Sequence, residues 1–169
     1  MNMEFKELIE RRYSVRAYKS DEIEQEKIDK ILQAGVLAPT ACNNQAFKII
    51  VIRTKGREEE LRGIYKAKWF TKAPIVLGVC SIPGNTWVRF DGKNYSDVDA
   101  TIVMDHIILA ATDLGLGTCW IGAFDTKAAK SVLGLDDSLE PVAFTPLGYA
   151  DSDQPTKSRK AVEELVIYR

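Results

Sequence analysis

One long apolar stretch limits the choice of fold. Most side chains from residue 98 to residue 116 are aliphatic, but four titratable residues interrupt them: Asp99, Asp105, His106 and Asp113. A membrane-spanning helix needs about 20 apolar residues with few charges. The stretch therefore predicts a buried helix of a globular core, from about Asp97 to Leu114.

Shorter segments predict the elements that pack around this helix. Strands are expected at 47–53 (FKIIVIR), 74–80 (PIVLGVC) and 141–150 (PVAFTPLGYA), with a last strand-like run, ELVIY, near residue 169. Helices are expected at 3–12, at 58–70 and at 125–133, the last with Asp125 as N-cap. A further helix, capped by Ser20 or Asp21, is expected from the apolar stripe Ile28, Ile31, Leu32, Gly35 and Val36. Helices and strands largely alternate, which predicts a mixed-sheet α+β or α/β sandwich.

Composition bounds the class of protein. The length of 169 residues and the hydrophobic share of 46% predict one domain that buries its own hydrophobic core. The net charge of −1 gives no overall attraction to nucleic acid or to an anionic membrane. The acidic N-terminus does not resemble a secretion signal, and three widely spaced cysteines predict no disulfide framework. A cytoplasmic location follows as an expectation.

Several familiar catalytic patterns do not match. GLGTCWIG begins like a dinucleotide fingerprint, but Trp120 stands where the third glycine belongs and a helix precedes it, so Gly115 or Gly117 is expected to cap that helix. His106, the single histidine, is expected to be a satisfied buried residue. With no partner for it, the sequence predicts neither a metal site nor a hydrolase triad, and no protein side chain is assigned as catalytic.

A basic cluster, RRYSVRAY, continues past the end of the first helix. Arg11 in the last helical turn is explained by the helix dipole. Alternation along the extended segment that follows places Ser14 and Arg16 on one face, beside Arg12. A second set, Lys157, Ser158 and Arg159, lies near the other end of the chain. The residues alone leave two alternatives open: a clamp for one phosphate, or two solvated patches.

Two loops also carry candidate side chains. In APTACNNQAF (38–47), the amides of Asn43, Asn44 and Gln45 either form a turn or read the edge of a heterocycle. The loop at 83–95 is rich in aromatic residues, and it either covers a substrate or packs on the core.

Four of these segments, in order, resemble the nitroreductase family of flavoproteins. RYSVRAY resembles its R-x-S-x-R signature, APTACNNQAF its P-S-x-x-N-x-Q-P-W loop, and LGLGTCWIGAFD its glycine-led strand. KSRKAVEELVIY is similar to its C-terminal basic segment and closing strand. The resemblance spans almost the whole chain.

The resemblance implies a fold, a cofactor and a partner. The fold would be an α+β, three-layer α-β-α sandwich around a mixed, mainly antiparallel sheet. Residues 1–169 would form a single domain, with residues 151–169 extending onto a second copy in a homodimer. FMN would lie between the subunits, and NAD(P)H would reduce a small electron-poor acceptor, of the nitroaromatic, quinone or enone type, through the flavin. The alternatives are a flavin carrier or sensor without turnover, or an interaction domain.

The resemblance also implies a role for individual residues in binding FMN. Arg12, Ser14 and Arg16 would hold the phosphate and ribityl chain, with Tyr13 at a position that is usually basic. Asn43 and Gln45 would approach the ring, of their own subunit or of the partner subunit. Lys157 and Arg159 would complete the phosphate clamp, and the isoalloxazine would lie along Trp120, Ile121, Gly122 and Ala123. The chain departs from the family pattern at Cys42, Ala46, Phe47 and Gly122.

Overall fold

A four-stranded antiparallel sheet forms the centre of the molecule. A computed structural model describes residues 3–169. The strands follow the order β1-β2-β4-β3, and each neighbouring pair is antiparallel. Their bounds are β1 Phe47–Arg53, β2 Ile75–Ser81, β3 Gly117–Thr118 and β4 Glu140–Gly148.

Helices cover both faces of this sheet. The six helices of the described chain are α1 Phe5–Arg11, α2 Gln25–Val36, α3 Glu58–Ile64, α4 Ser96–Asp113, α5 Thr126–Leu133 and α6 Val162–Leu165. Helices α2 and α4 pack on one face, and α3 and α5 pack on the other. Strand β2 is buried along its whole length because alternate residues serve the two cores: Leu77 and Val79 face α4, and Val76 faces α3. The predicted α+β three-layer sandwich is confirmed, and among residues 3–169 the one parallel pairing is an isolated bridge from Ser14 to Thr118.

Sequence patterning found most of these elements. Strand β1 has the predicted bounds, and Asp125 caps α5 by accepting a hydrogen bond of 2.9 Å from the Ala128 backbone. Gly115 has φ +76 directly after α4, so the predicted glycine cap is confirmed there.

Other expectations about helices are wrong. Helix α2 begins only after Glu24, whose carboxylate accepts a hydrogen bond from the Tyr149 hydroxyl, so neither Ser20 nor Asp21 caps it. The helix expected at 58–70 ends at Ile64, and a short 3-10 turn, Lys68–Thr71, replaces its second half.

His106 and the tail also differ from expectation. His106 is only half-buried, with Nδ1 3.3 Å from the Ala34 carbonyl oxygen, and its ring lines an apolar groove of about 540 Å³ between α1, α2 and α4. The tail contains the short helix α6 where a closing strand was expected, and the side chains of residues 162 and 165–168 are exposed. A strand needs a neighbour for its backbone hydrogen bonds, and this chain places none beside the tail.

Candidate functional site

The segment that follows α1 is extended and lies along β3. Ser14 bridges to Thr118, and the Val15 N–H donates to the Thr118 carbonyl at 2.8 Å. Gly117 makes this approach possible, because a Cβ atom at that position would lie 2.7 Å from Val15 Cγ2. A second bridge, from Tyr18 to Ala150, fixes the far end of the segment. The positions of Ser14 and Arg16 are thus set by a buried valine between them.

Arg12, Ser14 and Arg16 lie around one buried thiol. Burial raises the pKa of Cys119, while the positive charge of Arg16, the nearby Ser14 hydroxyl and the charge of Arg12 act in the opposite direction. All three side chains are therefore close enough to Cys119 to influence its ionisation. The same-face placement expected for Ser14 and Arg16 agrees with this arrangement.

The C-terminal basic segment meets the same region. The Gln154 side chain donates to the Glu10 carbonyl at 2.8 Å, and the Lys157 ammonium donates to the carbonyls of Ile9, at 3.2 Å, and of Glu10. These carbonyls belong to the C-terminal end of α1, where the helix dipole favours a cation. A phosphate clamp would require the two basic segments, at opposite ends of the chain, to meet. The structure does bring them together.

Positive charges crowd this junction. Partial burial, followed by the charges of Arg12 and then Arg159, lowers the pKa of Lys157, and Glu10 opposes the shift. Within residues 3–169, the ion pairs involve cations other than Arg12, Arg16, Lys157 and Arg159. We call these four cations and the Ser14 hydroxyl the basic cradle. Like charges held together without an ion-paired carboxylate favour an anion.

Arg11 and Tyr13 have structural contacts. Arg11 forms an ion pair of 2.8 Å with Glu7 one turn earlier, as expected for a residue of the helix surface. The Tyr13 hydroxyl donates to the Ser152 carbonyl at 2.7 Å, and its ring packs beside Val15 and Tyr18. Tyr13 thereby ties the extended segment to the start of the tail.

The stretch from Trp120 to Ala123 continues the edge of the sheet beyond β3. Ile121 is buried and exchanges two backbone hydrogen bonds with Phe144, of 2.8 and 3.0 Å. Trp120 is 38% exposed, and Gly122 and Ala123 are exposed. A fixed backbone with small side chains leaves room for a planar group to lie against it.

The amide loop, Ala41–Gln45, is strained and exposed. Cys42, Asn43 and Gln45 all have positive φ, of 53°, 56° and 50°. Such backbone is costly for residues other than glycine and is concentrated at functional sites. The loop is held by Asp99 of α4, whose Oδ1 accepts from the Ala41 N–H at 3.0 Å.

Within one chain the amide loop and the basic cradle lie far apart. Phe47, where β1 begins, is in register with Ser81 and through it with Glu140, whereas Thr118 pairs with Leu147 at the other end of β4. The loop and the cradle also occupy opposite edges of the sheet. Seven residues along a strand and three strand spacings amount to roughly 25 Å. The structure therefore does not bring Asn43 and Gln45 to the cradle of their own chain.

Sequence reasoning missed one group of residues beside the cradle. Lys68, Trp69 and Lys72 line a groove of about 760 Å³ together with Arg16. Three lysines within residues 66–72 (KAKWFTK) were the available signal, because dense like charge in a short segment is unusual unless something neutralises it.

Comparison with known proteins agrees with this architecture. The family model described as the nitroreductase family matches residues 9–76 and 65–149. A nitroreductase family protein of Clostridium difficile has a crystal structure with a TM-score of 0.89 and 35% identity, covering 98% of both chains. The chain belongs to the nitroreductase family. The predicted family and fold are thus confirmed, as is the class of nitroreductase-like oxidoreductase.

Other relatives of this nitroreductase family member carry similar descriptions. A nitroreductase family protein of Clostridium novyi is 32% identical, with a TM-score of 0.81, covering 88% of this chain and 86% of that one. FMN reductase [NAD(P)H] of Bacillus subtilis is 26% identical over 183 residues, covering 98% of this chain and 73% of the relative.

Residues 3–169 contain neither a candidate membrane-spanning helix nor a candidate metal cluster. No helix within 3–169 has the length and apolar character that crossing a membrane requires. Nor do three or more histidine, cysteine, aspartate or glutamate side chains of this part of the chain gather as metal ligands.

Proposed function

We propose that this protein is an FMN-dependent oxidoreductase that passes hydride from NAD(P)H to a small electron-poor acceptor. The acceptor would be a nitroaromatic, a quinone or an enone. The observation that carries the proposal is the basic cradle, where cations from both ends of the chain meet without carboxylate partners. The name of the Bacillus subtilis relative, FMN reductase, supports the choice of flavin.

The cradle suits a phosphate monoester. Arg12 and Arg16 offer guanidinium groups that donate in pairs, Ser14 adds a hydroxyl, and Lys157 adds an ammonium whose lowered pKa would rise again beside an anion. In this assignment Lys157 and Arg159 hold the phosphate from the tail side, and Tyr13 keeps the tail in place through its hydrogen bond to Ser152.

The neighbouring edge of the sheet suits the ring. Bound flavin would supply the redox chemistry, as cofactors generally do, and the protein would supply binding and orientation. The exposed backbone from Trp120 through Gly122 to Ala123 would support one face of the isoalloxazine, with Ile121 anchoring that backbone on Phe144. This division of labour accounts for a site without an assigned catalytic side chain.

The remaining predicted site residues require a second subunit. Asn43 and Gln45 lie roughly 25 Å from the cradle by strand register, so they would reach the flavin of a partner in a symmetric homodimer. The tail supports this arrangement, since it exposes five apolar or aromatic side chains that are normally covered: Val162, Leu165, Val166, Ile167 and Tyr168. Residues 151–169 would then extend onto the partner, as the resemblance implied. A dimer of this kind would act in the cytoplasm.

The test is flavin content. Arg16→Glu and Arg159→Glu are each compared with Arg11→Ala, a control that removes an arginine of the same segment whose partner is Glu7. Losing one charge-assisted contact of about 1.5–3 kcal/mol predicts a loss of FMN affinity of roughly 10- to 150-fold, and reversing the charge adds repulsion. The visible spectrum and FMN titration of the purified dimer report it. Unchanged FMN affinity in both variants would overturn the assignment.

A flavin carrier or sensor would share the cradle but lack turnover. Anaerobic addition of NADH and, separately, of NADPH discriminates the two functions. An oxidoreductase loses the absorption of oxidised flavin and recovers it when an acceptor is added. If neither nucleotide reduces the bound flavin, the carrier is the better description.

A further inference from the structure

A second groove adjoins the one that Arg16 shares with Lys68 and Lys72. It encloses about 740 Å³, and Lys68 and Lys72 line both grooves. The two grooves therefore form one continuous channel on the surface, which begins at Arg16, passes Lys68 and Lys72 and ends at Arg53. We call it the basic trough. Its volume is of the size that small-molecule sites have.

The basic trough runs along one end of the central sheet. Thr118 of β3, which is bridged to Ser14 of the cradle, pairs with Leu147 of β4. Leu147 pairs with Ile75 of β2, which pairs with Arg53 of β1. These residues form one row across the four strands, and three strand spacings amount to roughly 15 Å. One end of the trough is thus at the basic cradle, and the other end lies beside β1.

Cations exceed carboxylates along the basic trough. The second groove has two carboxylates, Glu22 and Glu58, and five cations, Arg53, Lys55, Arg62, Lys68 and Lys72. The first groove adds the cations Arg16 and Lys19 and the carboxylates Asp21 and Asp151. Within residues 3–169, the ion pairs involve none of these cations. The trough therefore offers positive charge to an anionic ligand.

Two of these cations converge on the first residue of α3. Backbone hydrogen bonds at Glu58 and Gly56, and then the charges of Arg62 and Lys72, lower the pKa of the Glu58 carboxyl. The Arg62 Nε also donates to the Glu58 carbonyl at 3.2 Å, which orients the guanidinium. Two cations share one carboxylate here, so their positive charge is only partly neutralised.

The floor of the basic trough is apolar and fixed. Ile23, Pro74 and Ile75 line the second groove. Below them the Thr54 hydroxyl donates to the Ala73 carbonyl at 2.6 Å, and the Thr54 N–H donates to the Pro74 carbonyl at 3.1 Å. These bonds tie the end of β1 to the start of β2. A fixed apolar floor between cations suits a nucleotide, because its base is flat and its phosphates are anionic.

We propose that the basic trough binds the adenosine half of NADPH and selects NADPH over NADH through the 2′-phosphate. The inference rests on the proposed function, which requires a nicotinamide dinucleotide to reach a flavin beside the cradle. The two halves of a dinucleotide are joined through a pyrophosphate. A site that begins at the flavin and continues for roughly 15 Å along the sheet therefore accommodates the second half.

The arrangement of charge favours the phosphorylated dinucleotide. NADH and NADPH differ only in the 2′-phosphate of the adenosine ribose. Arg62 and Lys72, which are incompletely neutralised by Glu58, are the groups that would hold this phosphate. Lys68, which lines both grooves, would face the pyrophosphate that the two dinucleotides share. Arg62 and Lys72 are thus specificity-determining residues, whereas Lys68 serves either donor.

The first test measures binding of the adenosine half without turnover. The purified dimer with its flavin is titrated in a calorimeter with adenosine 2′,5′-bisphosphate and, separately, with 5′-AMP. The 2′-phosphate should tighten binding by roughly 10- to 150-fold, the size of one charge-assisted contact. Equal affinity for the two nucleotides, or binding of neither, would overturn the inference.

The second test compares the two electron donors. Arg62→Ala and Lys72→Ala should each raise KM for NADPH by roughly 10- to 150-fold and leave KM for NADH within about twofold. Lys72→Arg keeps the charge and should keep the preference for NADPH. Lys48→Ala is the control, because Lys48 is an exposed lysine at the other end of β1, in register with Cys80. It should change neither KM.

Flavin content and dimer mass are measured for each variant. Equal rises of KM for both donors, or no rise, would contradict the role of the basic trough while leaving the flavin enzyme intact. Loss of flavin from Lys72→Ala would also contradict it, because that result would assign the lysine to the flavin site. A wild-type chain that binds no FMN would refute the proposed function instead, and the calorimetric comparison would still decide whether the trough recognises the 2′-phosphate.

Discussion

Gly117→Ala tests whether a single close contact positions the basic cradle. The added methyl group would lie 2.7 Å from Val15 Cγ2 and 3.0 Å from Val15 Cβ. Ordinary carbon–carbon contacts are about 3.5–4.0 Å, so the extended segment and β3 must separate by roughly 1 Å. Because Ser14 and Arg16 flank Val15, the separation moves two residues of the cradle as well.

The free-energy cost can be divided by a double-mutant cycle. Overpacking at Gly117 should reduce the free energy of unfolding by about 1–3 kcal/mol. Val15→Ala alone removes a fully buried side chain and should cost about 2 kcal/mol. In the double variant the smaller side chain makes room for the new methyl group, so the total falls short of the sum of the single costs by about 1–3 kcal/mol.

Denaturant unfolding of flavin-free protein gives the three free energies, and FMN titration gives the matching affinities. Gly63→Ala is the control, because Gly63 lies in α3 with open space around its missing Cβ, and there the same change should stabilise the helix by up to about 1 kcal/mol. Additive free energies, or Gly117→Ala with unchanged FMN affinity, would refute the reasoning that this contact sets the cradle.

Three further predictions concern the ends of the chain and one helix cap. Because the pKa of Lys157 is lowered in the folded chain, the flavin-free protein should gain stability as the pH rises through that pKa toward the ordinary value of 10.5. Over the same pH range FMN affinity should fall, because Lys157 loses its positive charge. FMN titration against pH should show that the Lys157→Arg variant keeps its affinity to higher pH. Deleting residues 160–169 is expected to weaken the dimer in analytical ultracentrifugation at a fixed chain concentration, and an unchanged dissociation constant would contradict the placement of the tail. Asp125→Ala should lower the free energy of unfolding by about 1 kcal/mol in urea, with Asp125→Asn retaining most of it, because the lost contact is the cap of α5.

Sequence patterns correctly predicted the features that depend on interactions between residues close together in the chain. The β-branched run of β1, the Asp125 cap and the glycine after α4 each depend on neighbours within a few residues. Alternation also placed Ser14 and Arg16 on one face, because the segment is extended against β3.

Features that depend on contacts between distant parts of the chain could not be predicted from such patterns. Helix α2 begins at Gln25, and the Glu24 carboxylate just before it accepts a hydrogen bond from Tyr149, a residue 125 positions away. The lysines near residue 70 join Arg16 only through the fold. The tail was expected to be a strand because ELVIY has strand-forming residues, but a strand requires a partner that its own chain does not place there.

The hydrogen bonds of Lys157 to α1 also bear on the order of events during synthesis. The ammonium contacts the Glu10 carbonyl across 147 positions of sequence. A ribosome adding about 5–20 residues per second needs about 7 to 30 seconds to synthesise the chain between these two residues. In that interval the nascent chain has the N-terminal arginines of the cradle but lacks Lys157 and Arg159. Under the proposed function, FMN binding would therefore be a late step in the life of each molecule, and a message that ends before codon 157 would yield a product that binds flavin weakly.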